Sequence, residues 1–209
     1  MRKLSTLTRS TLVAGVAVAA AVGFAASPAS AAGTWTVTGG GSFTAKATSP
    51  TLTDSSTGTQ LKCASSTASA AATNGTGLSG TGIASISAVA WTSCSGPLGI
   101  TFAVTAQGLP WTVNATGYSG GVTTGTLTGV KAHISGLGCT ADFGGATSGS
   151  TATLNVSYSN STHTLSVSGG NLHAYNVSGT CLGLINTGDA ATYTASYVLS
   201  PATLQLTSP

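Results

Sequence analysis

The sequence predicts an all-β fold: a single antiparallel β-sandwich or barrel-like domain, built from two pseudo-repeats and held by two disulfides. Three observations predict it. Apolar residues recur with a period of two along most of the chain, Gly and Asn-Gly punctuate those runs, and beyond the N-terminal segment no stretch shows amphipathic helical spacing.

The first segment is an export signal rather than part of the fold. Arg2, Lys3 and Arg9 form a basic start, "TLVAGVAVAAAVGFAA" (Thr11 to Ala26) is the apolar stretch, and Ala29-Ser30-Ala31 offers a small-residue cleavage site. This assigns residues 1–31 to a signal peptide, cut after Ala31 or Ala32, and residues 32–209 to a secreted β-domain. The apolar run is too short and too Gly-broken to span a membrane comfortably.

The strand-like runs then follow in order. "TWTVT" (Thr34 to Thr38) alternates, and "ASSTASAAATNG" (Ala64 to Gly75) has no apolar stripe and reads as loop or strand. "ITFAV" (Ile100 to Val104) alternates. "WTVNATGY" (Trp111 to Tyr118) and "VTTGTLTGVKAHI" (Val122 to Ile134) flank a turn at Ser119 to Gly121. "LNVSY" (Leu154 to Tyr158), "TLSVS" (Thr164 to Ser168) and "ATYTASYVL" (Ala191 to Leu199) complete the set, with "SGGN" (Ser168 to Asn171) as a hairpin turn.

Cys63, Cys94, Cys139 and Cys181 are read as disulfide-bonded, because the chain is exported and no two lie at metal-ligand spacing. An internal repeat selects the pairing. After Cys94 come Gly96, Phe102 and Pro110; after Cys181 come Gly183, Tyr193 and Pro201, with each aromatic on an alternating run. "TLT" precedes Cys63 and again Cys139. Pseudo-repeats over roughly 51–113 and 126–204 would each carry their own bridge, Cys63–Cys94 and Cys139–Cys181, contributing about 3–4 kcal/mol apiece in the chain-entropy model.

Charge excludes several functions. The chain carries six Lys+Arg and three Asp+Glu, for a formal charge of +3. Arg2, Lys3 and Arg9 leave with the signal, so Lys46, Lys62 and Lys131 balance Asp54, Asp142 and Asp189. Nucleic-acid binding needs a basic patch that three scattered lysines cannot form.

Candidate chemistries fail in turn. "GYSGG" matches a serine-hydrolase pattern at Ser119, but no helix pattern follows it and no His precedes it, so it reads as a turn. The chain has no Glu, and Asp54, Asp142 and Asp189 read as turn residues rather than a glycosidase pair. His133, His163 and His173 read as strand histidines, not metal ligands. "LPWTV" (Leu109 to Val113) lacks a sortase motif's context, and the sequons at Asn74, Asn114, Asn155, Asn160 and Asn176 read as accidents of composition. No catalytic residue, metal or cofactor is assigned.

"WTSCSGPLGITFAVTAQGLPWTVNATGY" and "CLGLINTGDAATYTASYVLSP" are similar to segments of a family of actinobacterial secreted, Cys-containing all-β proteins with no established activity. The similarity runs from about Trp35 to Pro201 and implies export, without carrying over site residues. In type only, the chain also resembles the neocarzinostatin-like apoproteins, which hold an apolar chromophore in a cleft.

The functional expectation is a non-enzymatic domain acting by contact or assembly outside the cell or on its surface. Its partner would be a cell-surface polymer, a protein or its own copies. The alternatives are an extracellular carrier of a small apolar ligand and an unrecognised hydrolase. Trp91, Phe102, Trp111, Tyr118 and Tyr175 are the candidate ligand contacts.

Overall fold

The computed structural model describes residues 34–209, so the expected signal peptide and its cleavage site lie outside the described residues. Fifteen strands run in chain order: β1 (Trp35–Thr38), β2 (Gly41–Thr48), β3 (Thr51–Asp54), β4 (Gln60–Ala72), β5 (Gly75–Leu78), β6 (Ala84–Ser95), β7 (Thr101–Gln107), β8 (Trp111–Ser119), β9 (Val122–Gly136), β10 (Cys139–Gly144), β11 (Ala152–Ser159), β12 (Thr164–Ser168), β13 (Leu172–Gly179), β14 (Ala190–Ser200) and β15 (Gln205–Thr207).

Several of these are halves of one longer strand. β2 and β3 both pair with β4 and β14, interrupted at Ser49-Pro50 where Ser49 has φ 52°. β7 and β8 both pair with β6 and β9. β10 and β11 share β9, while β12 and β13 share β14. Joined in this way, eight staves follow one another antiparallel in sequence order, and β14 returns to pair with β2. The sheet is therefore a closed up-and-down barrel, which leaves no main edge strand unpaired.

Period-two patterning places the walls. Along β4, Leu61, Cys63, Ala68, Ala70 and Ala72 are buried while Gln60, Lys62, Thr67 and Ser69 are exposed. Along β11, Ala152, Leu154, Val156 and Tyr158 are buried, and the residues between them are more exposed. The apolar face turns inward and the Thr/Ser face outward, the reverse of a water-filled membrane barrel. No helix among the described residues is long and apolar enough to cross a membrane.

A small antiparallel sheet, β15-β1-β5, closes one end. Leu204 and Leu206 beside and on β15 pack into the core with Trp35 and Val37 of β1. The cap is pinned to the barrel where the Tyr158 hydroxyl donates to Leu204 O at 2.8 Å and Asn160 Nδ2 donates to Leu206 O at 2.7 Å. The opposite rim holds the connections through Ser55–Thr59, Pro97–Gly99, Leu137-Gly138 and residues 180–189. Both disulfides lie near this rim and pair as the repeat predicts, Cys63–Cys94 between facing residues of β4 and β6, and Cys139–Cys181 from β10 to the loop after β13.

One open reading resolves and two change. "ASSTASAAATNG" lies almost entirely in β4, its small residues alternating in and out. "SGGN" is not a hairpin: β12 and β13 do not pair, and the chain continues along the same neighbours past a bulge at Gly169 (φ 62°) and Gly170 (φ 106°). There Asn171 Oδ1 accepts from Thr153 N at 2.7 Å, and a side chain at Gly170 would strike Leu154 Cδ2 at 2.4 Å. The glycines serve a close strand approach rather than a reversal. Asp142, expected in a turn, instead lies within β10.

Candidate functional site

The barrel encloses an apolar cavity of ≈ 130 Å³. Its existence follows from residue size. Eight staves leave an interior that ordinary side chains just fill, and here much of one wall is alanine. Ala45, Ala68, Ala70, Ala84 and Ala115 face it from β2, β4, β6 and β8, and Leu127, Ile134, Leu154, Tyr158 and Leu199 line other parts of the wall. Gly125 belongs to the same lining, and a Cβ there would lie 1.9 Å from Asn114 O, so the close approach of β8 and β9 demands glycine. Among the described residues, no Lys, Arg, His, Asp or Glu lines the cavity.

Two polar features mark the cavity wall. The first is a chain of hydrogen bonds between walls: Trp91 Nε1 donates to Tyr193 Oη at 3.0 Å, Tyr193 Oη meets Tyr197 Oη at 2.8 Å, and Tyr197 Oη donates to Ser66 Oγ at 2.9 Å. A phenol has one proton to give, and Tyr197 gives its own to Ser66, so Tyr193 is the donor to Tyr197 and the chain runs from Trp91 to Ser66. Burial pushes the phenols of Tyr193 and Tyr197 above their ordinary range and keeps them neutral. The second is Thr123 of β9, which is 4% exposed and lines the cavity near the capped end. Its Oγ1 has no hydrogen-bond partner.

The sequence candidates divide. Trp91 and Trp111 line the cavity with their ring centroids 6.4 Å apart. Phe102 packs at the rim over Gly96 and Gly136, Tyr118 lies edge-on to Trp35 at the cap, and Tyr175 is buried outside the cavity lining. Tyr158, Tyr193, Tyr197 and Thr123 contribute to the cavity's polar character and were not among the ligand contacts expected from sequence. The signal was present in "ATYTASYVL", where Tyr193 and Tyr197 fall on one face at even spacing.

The Ser119 pattern lies in a two-residue turn, with Ser119 paired to Val122 across Gly120-Gly121. A His–Asp pair does exist: His133 Nδ1 lies 2.7 Å from Asp142 Oδ1. It sits on the outer wall, and His133 is 133 − 122 = 11 residues further along β9 than the residue facing Ser119. At about 3.3 Å per residue that is roughly 36 Å of strand, so the three groups form no triad. Burial works against ionisation of Asp142, but hydrogen bonds from Asn176 and His133 outweigh it and hold its pKa below the ordinary value.

Asp54 and Asp189 do meet near the disulfide-bearing rim, each in a turn. Asp54 Oδ1 accepts from Ser56 N at 2.8 Å, and Asp189 Oδ2 accepts from Asn186 N at 2.7 Å. Burial opposes ionisation of Asp189, and hydrogen bonds from the Asn186 backbone N–H and side-chain amide prevail and lower its pKa. The two carboxyls satisfy loop backbone rather than flanking a cleft. Among the described residues, no group of three or more His, Cys, Asp or Glu side chains is placed to hold a metal ion.

The site is thus an apolar hollow within a closed barrel. The family model of the alkane oxidation protein activators, PraA/PraB-like, matches residues 1–201. The chain belongs to the PraA/PraB-like family. That match covers every stave of the barrel and ends as β15 is approached. The family carries a named role in activating alkane oxidation, which is more than the sequence resemblance implied. No curated protein and no solved structure matches the chain.

Proposed function

We propose that this PraA/PraB-like protein is a secreted, non-enzymatic carrier that takes a hydrocarbon chain into its barrel and so makes it available for oxidation. The observation that carries the reading is the cavity: ≈ 130 Å³, lined almost wholly by carbon. An apolar cavity of about 150 Å³ stays dry and holds one benzene molecule. The barrel thus suits an alkyl segment of roughly six carbons. The family's alkane connection supplies the chemical class.

Transfer of apolar surface from water drives such binding at about 0.8 kcal/mol per methylene. Across the series n-butane, n-pentane and n-hexane, the affinity is expected to rise about fourfold per carbon. Fluorescence of Trp91 and Trp111 in the cavity wall provides the readout, checked by native mass spectrometry. No binding by any of the three alkanes would reject the carrier reading.

Surface contact keeps a specific support of its own. Leu98, Leu137 and Leu182 are 91%, 89% and 63% exposed, on three connections of the same rim. Each is followed by Gly, and Leu98 and Leu182 have positive φ. Three leucines held outward on one rim suit contact with an apolar surface. Replacing all three with Ser should weaken adsorption to hydrocarbon droplets while leaving n-hexane affinity unchanged.

A further inference from the structure

The orphaned hydroxyl of Thr123 says more about the cavity's occupant than the carbon lining does. Thr123 sits two residues after the Gly120-Gly121 turn, facing Tyr118 on β8 and Tyr158 on β11. Neither neighbour relieves it. The Tyr158 hydroxyl is committed to Leu204 O at 2.8 Å and lies 3.2 Å from His163 Nδ1. The oxygens of Tyr193, Tyr197 and Ser66 are engaged with one another. Thr123 Oγ1 alone among the cavity's hydroxyls has no partner. Buried polar groups in folded proteins are nearly always paired, and a hydroxyl has the same shape as the methyl of valine, which would fill this position without that cost.

We propose that the chain held in this barrel ends in a hydroxyl, and that Thr123 Oγ1 receives it at the capped end. This rests on the carrier reading and narrows it from a bare alkane to a primary alcohol. The alcohol supplies both a donor and an acceptor to Thr123. Its alkyl tail runs from the cap toward the rim along the alanines of β4. A carboxylate is disfavoured because no cation among the described residues lines the cavity, and an unpaired buried charge is far costlier than a neutral hydroxyl. Terminal oxygenation of an alkane is the class of reaction that yields such a molecule, so the site would accept the first oxidation product as well as its precursor.

The test compares n-hexane, 1-hexanol and hexanoate on the full-length mature protein and on Thr123→Val and Thr123→Ser. The wild type should prefer 1-hexanol and reject hexanoate. Thr123→Val should lower the ratio of 1-hexanol to n-hexane affinity roughly two- to tenfold, and keep or raise the thermal midpoint of the empty protein. Thr123→Ser should retain the preference for 1-hexanol. Equal loss for both ligands in Thr123→Val, or a wild type that binds n-hexane but not 1-hexanol, overturns the proposal and leaves the carrier reading standing. Failure of the wild type to bind either neutral ligand removes both.

Discussion

Tyr158, Tyr193 and Tyr197 place three phenols inside a wall that is otherwise carbon. Burial raises the Tyr158 pKa from 10.0 to about 12, and raises the other two in the same direction. A phenol whose pKa rises on folding holds its proton more tightly in the native state. Its contribution to stability is complete below the unfolded value and is lost as pH climbs through the folded one. Urea unfolding should therefore show stability falling between pH 10 and about 12, with a shallower fall in Tyr158→Phe. A stability profile that is flat over this window would contradict the burial of these groups. Sequence reasoning chose aromatics by type, so its candidates included Trp91 and Trp111, which line the cavity, but none of these tyrosines. Which aromatic faces a hollow depends on where the partner strands put their small residues.

At the scale of elements, β4 shows how composition becomes shape. Its alternating Ala, Ser and Thr gave no apolar stripe, yet pairing with β2 and β6 turns Ala68, Ala70 and Ala72 inward together. That makes the strand a thin wall, and the cavity is the space its missing side chains leave. Ala68→Leu should fill this space. Its thermal midpoint should hold or rise, while n-hexane affinity drops more than tenfold; retained affinity would place the ligand elsewhere. The "SGGN" segment teaches the complementary lesson. Two glycines fit a turn and a bulge equally well, and Thr153 with Leu154 on β11 decides between them.

For the whole molecule, closure through β14 and β2 joins segments from opposite ends of the chain, which no local pattern announces. The disulfides secure the rim opposite the cap. The Cys139–Cys181 bridge spans 42 residues, and its loss in Cys139→Ser/Cys181→Ser should cost about 4 kcal/mol in the chain-entropy model. Urea unfolding with and without reductant measures it. Ligand affinity should survive, since neither residue lines the cavity, in contrast to Cys63.

The sequence by itself determined the all-β class and the disulfide pairing, because alternation and the repeated surroundings of the cysteines are properties of the chain as written. Only the tertiary structure decided that the sheet closes, that the closed sheet is hollow, and that one threonine hydroxyl is stranded inside it. Those depend on the register between distant strands, where the volume of each inward residue counts against the residues facing it.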